Sequence, residues 1–181
     1  MNAWKMVLKT GAGIPESPEM QALIKAGNYP DSKYVREGIM KLESALGTLE
    51  QGDFPLLHHW ADGQYGREIF IRAGSLLVGK IHKHSHLNII SMGECTVITE
   101  FGLSRIKAPK TFVSQPGTKR ALYAHTDTIW TTVHVTDKTT EAEAEEEIIA
   151  KDYAEYDELA FRRNLSLAMG CPLPSDVTKN E

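Results

Sequence analysis

The sequence is short of cysteine. Cys95 and Cys171 are the two in 181 residues, and they form no CxxC pair. That excludes a disulfide framework and predicts free thiols in a reducing compartment. Long apolar runs are missing as well. Ser75-Leu76-Leu77-Val78 is typical of those present, far below the length a spanning helix needs. Met1 to Thr10 lacks the apolar core of a secretion signal, so a cytoplasmic protein is expected, with no membrane partner. There is no excess of positive charge. Lys plus Arg is 20, Asp plus Glu is 24 and the net charge is −4, which argues against a dedicated nucleic-acid binder. No Walker loop, dinucleotide-binding glycine fingerprint or GxSxG elbow occurs. What is present is ordinary for a globular protein: 41% hydrophobic and 24% charged residues.

The chain divides into a helical N-terminal extension (1–52), a β-rich section (53–136), a C-terminal helix (137–169) and a tail (170–181) expected to be mobile. Ser17-Pro18-Glu19 is a helix-start signal for a short helix reaching Ala26. After Asp31-Ser32, the residues Val35, Ile39, Leu42, Leu46 and Leu49 recur three and four apart, one apolar stripe that Gly52 would end. The middle section has short runs of Val, Ile, Thr and Phe between glycines, from Leu56–Trp60 to Ile129–His134. Turns every eight to twelve residues indicate an antiparallel sandwich or barrel, and no helical periodicity interrupts it as a parallel α/β fold would require. Thr139-Thr140 can cap a helix opening on Glu141, whose early acids suit the helix dipole.

Three of the seven histidines fall within five residues, His82-Lys83-His84-Ser85-His86. Alternation puts all three on one face of a strand, and neutral imidazole is a common metal ligand. On a straight strand His82 and His86 stand about 13 Å apart, against metal–nitrogen bonds of about 2 Å. They share an ion only if the chain bends between them; otherwise an adjacent pair such as His82 with His84 does the work. A further ligand must come from a distant strand, and His125, before the turn-like Thr126-Asp127-Thr128, is the candidate. The competing reading is a solvent-facing strand that takes metal only adventitiously. His134 reads as an inward residue beside Thr132, either orienting a ligand or packing in the barrel. At most one of His58 and His59 points inward.

With these residues in place, the sequence resembles the cupin superfamily. The family's first motif runs Gly, five residues, His-x-His, three or four residues, Glu, six residues, Gly. Here Gly74 leads to His82-Lys83-His84-Ser85-His86 and on to Gly93. Counting back from Gly93 lands on His86 where the family has Glu, with His82 at the second His and Lys80 at the first. With a shortened loop, His82 and His84 are the pair. The second motif, Pro-x-Gly-x-x-His-x-x-x-Asn, is matched by Pro116-Gly117, but Arg120 sits near the expected His. That departure leaves His125 to supply the ligand, or Arg120 to hold an anion with its planar fork. Lys80 would line the same face as His82. The Gly79–His84, Pro116–Arg120 and Thr128–His134 segments are similar to small cupin-domain proteins of tailed bacteriophages.

The resemblance implies a mainly β, cupin-type double-stranded β-helix barrel with helices before and after. It implies one divalent ion (Zn, Fe, Mn or Ni) on His82, His84, His86 and His125, and a small anionic ligand near Arg120 and Lys80. A homodimer is expected. Two functions compete: a metal-dependent protein that binds or transforms a small molecule, and a non-catalytic phage virion, host-interaction or ligand-sequestering protein that reuses the barrel.

Overall fold

A computed structural model describes residues 32–169. In chain order, α1 (Ser32–Leu46) precedes β1 (Leu56–Ala61), β2 (Gln64–Ile71), β3 (Leu76–Val78), β4 (Ile81–His82) and β5 (His86–Met92). Then come β6 (Glu94–Thr99), β7 (Gly102–Lys107), β8 (Lys110–Ser114), β9 (Ala121–Ala124) and β10 (Thr128–Val135). Helix α2 (Glu141–Ile148), β11 (Ile149–Ala150) and α3 (Tyr153–Met169) finish the described chain. A sheet in the order β1-β2-β10-β5-β8 faces a second in the order β3-β9-β6-β7, and β4 pairs with β11. The fold is thus the mainly β two-sheet sandwich with helices at either end that the sequence predicts. The short helix expected at Ser17–Ala26 and the tail from residue 170 lie outside the described residues. No helix among the described residues is long and apolar enough to cross a membrane.

Period-two alternation sorts the strands' side chains. Ile69, Ile71, Ile90 and Trp130 of the larger sheet meet Leu77, Cys95, Val97, Leu122 and Ala124 of the smaller in one buried cluster. Each Ile, Leu and Val side chain among them contributes about 1.5–3 kcal/mol by leaving water. Along the same inner face the character changes. In register, the row Ile69–Trp130–Ile90 is followed by Arg67–Thr132–Asn88, and then by Tyr65 opposite His134. The sandwich is plugged with hydrocarbon at one end and lined with polar groups at the other.

The predicted stripe packs α1 on the outer face of the smaller sheet, where Val35, Ile39, Leu42 and Leu46 meet Leu76, Val78, Ile98 and Ala121. The helix stops at Leu46 rather than Gly52. Gly47 N–H bonds back to Glu43, and Gln51 Nε2 takes the Leu46 carbonyl, so Leu49 lies past the end and is exposed. The C-terminal run is two helices instead of one. Thr140 caps α2 by accepting from Glu143 N–H. The β-branched Ile149 then turns extended and pairs with His82, with Ala150 opposite Ile81. Asp152 restarts the helix by accepting from Glu155 N–H. Ala144 and Ile148 of α2 pack on Tyr65, which closes the polar end of the sandwich.

Two glycines fix turns, Gly93 at the apolar end of the sandwich and Gly117 beside the histidine-bearing strand β4. Gly93 joins β5 to β6 at φ +94°, where an added Cβ would sit 2.3 Å from the Asp127 carbonyl. Gly117 has φ +80° and lies against the Tyr156 ring of α3, while its N–H bonds the His82 carbonyl.

Candidate metal centre

Three imidazoles converge inside the polar end: His82 from β4, His86 from the start of β5 and His134 from β10. The chain bends at Lys83–His84, which is the condition the sequence set for His82 and His86 to approach. Their ring centroids are 4.1 Å apart, and His134 lies 4.9 Å from His82 and 4.7 Å from His86. All three residues are buried. Each offers a nitrogen, and these lie within 4.8 Å of one another. Nitrogens sharing a tetrahedral ion at about 2.1 Å stand about 3.4 Å apart, so the span is of the order that one ion requires.

Buried polar atoms normally have partners, yet His82 Nδ1, His86 Nε2 and His134 Nε2 have none. On His86 the proton can be placed. Nδ1 lies 3.3 Å from the His84 carbonyl, which can only accept, so Nδ1 donates and the buried Nε2 keeps its lone pair. Burial holds all three rings neutral. Desolvation, then the other two histidines, pushes His82 well below the usual imidazole range. Desolvation brings His86 down to about 4. Desolvation, then His86 and Arg67, brings His134 down to about 3. Neutral imidazoles with unused lone pairs in one hole fit a divalent ion of the zinc–iron–manganese–nickel class.

The other residues singled out by the sequence are placed elsewhere. Inward Leu122 and Ala124 set the phase of β9, so Tyr123 and His125 project from the outer face of the smaller sheet. His125 Nε2 lies 2.7 Å from Thr96 Oγ1 and its ring packs edge-on to Tyr123. His134 stands where His125 was expected. His84 is exposed in the bend, its ring 3.2 Å from Arg163, and its carbonyl orients His86. Lys80 lines the inner cavity, but its Nζ is held by Glu145 of α2. His58 bonds the Tyr65 hydroxyl at 2.7 Å, outside the cluster. The signal for His134 was the alternation Trp130, Thr132, His134, which runs inward along β10.

Arg120 does face the interior. A cavity of about 20 Å³, room for roughly one water, is lined by His82, Lys80, Asn88, Arg120, Trp130 and Thr132 among others. A polar chain crosses it. Trp130 Nε1–H donates to Asn88 Oδ1 at 3.0 Å, Asn88 Nδ2–H donates to Ser114 Oγ at 2.7 Å, and Arg120 Nη2–H donates to the same hydroxyl.

No protein-family model matches the chain, and no curated relative matches it. Solved structures similar to it include ectoine synthase from P. lautus, at 16% identity and a TM-score of 0.44, covering 55% of this chain and 75% of that one. A cupin superfamily protein from Desulfitobacterium hafniense is similar at 9% identity and a TM-score of 0.41, over 52% of this chain and 87% of that one. A cupin-2 domain containing protein from Shewanella frigidimarina is similar at 7% identity and a TM-score of 0.38, over 52% and 92%.

Proposed function

We propose that the protein is a cupin-domain protein that holds one divalent metal ion on His82, His86 and His134 and binds a small anionic molecule beside it. The observation that carries this reading is the set of three buried imidazole nitrogens without partners. A metal bound there supplies Lewis acidity. The chain's own groups do the rest. Arg120 presents a cation to the anion, Asn88 and Ser114 fix the guanidinium, and α2 covers the histidine end and excludes water. The likeness of the Gly79–His84 and Pro116–Arg120 segments to phage-encoded cupin-domain proteins belongs to the same proposal, as does the homodimer, which light scattering at micromolar concentration would remove by returning a monomer.

Binding without turnover is the second reading, and one observation favours it: the cavity lining contains no carboxylate to serve as acid or base. Elemental analysis of protein purified without a histidine tag tests the main reading. It should show about one metal ion per chain; a folded protein without metal, even after incubation with each of the four ions, would overturn it.

A further inference from the structure

The two sheets diverge at their β7 and β8 edges and leave a groove of about 520 Å³, within the range of small-molecule sites. Its floor is apolar, with Val97, Ile106 and Phe112. Lys107 and Lys110 stand in its walls, and no Asp or Glu lines it. Arg120 and Ser114 close its inner end, and Arg120 also lines the small cavity beside His82.

The inner end is built from donors. Arg120 is half-buried, with its guanidinium carbon 5.9 Å from the ring centroids of both Phe112 and Trp130. Its hydrogen bond goes to the neutral Ser114 hydroxyl, and the carboxylate whose field reaches it, Glu100, is held in an ion pair by Arg36. Ser114 Oγ already accepts from Arg120 and from Asn88. A hydroxyl has two lone pairs and one proton, so the proton is left to donate. Unused N–H groups of a cation and a spare O–H thus meet at the foot of an apolar, cation-rimmed trench. A cation screened from water calls for an anionic partner.

We propose that this groove is the ligand's binding site: an elongated organic anion enters between β7 and β8, sets its carboxylate on Arg120 and Ser114, and lays its apolar body on Val97, Ile106 and Phe112. This rests on the proposed function in naming its ligand class, but it stands on different residues from the metal. It also places entry at the side of the sandwich, away from the end that α2 covers.

Titration of the full chain with sodium octanoate, followed by calorimetry and tryptophan fluorescence, tests it, with 1-octanol and acetate as controls. Octanoate should saturate one site per chain, and octanol and acetate should each bind about tenfold or more weakly, as loss of a charge-assisted bond or of apolar burial requires. Arg120→Met should weaken octanoate at least about tenfold. Ser104→Trp, at an exposed groove position that leaves Arg120 in place, should also weaken it, which keeps the test decisive if Arg120→Met does not fold. Octanoate binding no tighter than octanol, or unchanged in a folded Arg120→Met or Ser104→Trp protein, would overturn the groove. Metal content measured on the same wild-type sample separates the two ideas: one ion per chain without octanoate binding removes the groove alone, and octanoate binding without metal removes the metal centre alone.

Discussion

His134 lies parallel to His82, with the two ring planes 4° apart and their centroids 4.9 Å apart. One ring comes from the two-residue strand β4 and the other from β10 at the centre of the larger sheet. This contact, with the one to His86, is what brings a ring from a distant strand into the cluster, a place His125 does not reach.

Substitution separates the two. His134→Ala should reduce metal content to well under about a tenth of the wild-type value, because two ligands hold an ion far less tightly than three. His125→Ala should leave it unchanged, since that ring is bonded to Thr96. Equal loss in both variants, measured by mass spectrometry of the metals, would contradict the site.

The pH dependence of the metal-free protein has a definite sign. His86 and His134 titrate at about 4 and about 3 in the folded chain, and near 6.5 when unfolded. Between those values the unfolded state binds more protons, so stability rises with pH. It should be level above about pH 7 and fall as pH drops through 6 towards 4, by about 1.4 kcal/mol per pH unit for each histidine. Urea midpoints across that range measure it. A flat profile would mean that the rings are solvated.

Gly117→Ala puts a methyl group 2.4 Å from the Tyr156 ring at a residue with φ +80°. A cost of about 1–3 kcal/mol from backbone strain, plus displacement of α3, is expected. Thermal melting should show a drop of several degrees, with Gly63→Ala as the reference for a left-handed glycine in open space. Equal drops would mean that α3 does not rest on this turn.

Glu145→Ala should loosen α2 without unfolding the sandwich. Glu145 holds Lys80 and lies 3.7 Å from the guanidinium of Arg67, whose side chain is 8% exposed. Breaking such a partly buried cluster costs about 1–3 kcal/mol. Hydrogen exchange should therefore quicken in α2 and β11, while β2, β5 and β10 keep their protection. Uniform loss of protection would show that α2 is part of the core.

Strand positions and the α1 stripe were legible in the sequence because alternation and three-four spacing are local patterns. The turn glycines were legible too. The spacing of His82 and His86 requires a bend for the two rings to meet, but it does not say where a strand breaks. His125 was misplaced because its face depends on the phase set by Leu122 and Ala124, and phase has meaning only once the inner side of β9 is known. The break that makes α2 and α3 two helices depends on pairing between Ile149 and His82, which are 67 positions apart. The groove at Arg120 arises where two edges of different sheets diverge, a relation that no segment of the sequence contains by itself.

The β4–β11 pairing also has a bearing on synthesis. A growing chain that has emerged only as far as Val135 already carries all three rings, yet the short strand bearing His82 still lacks the backbone partner that Ile149 provides. A pocket assembled in this way is completed by one of the last described segments to leave the ribosome. Closure of the histidine pocket thus waits on Ile149, 67 positions after His82.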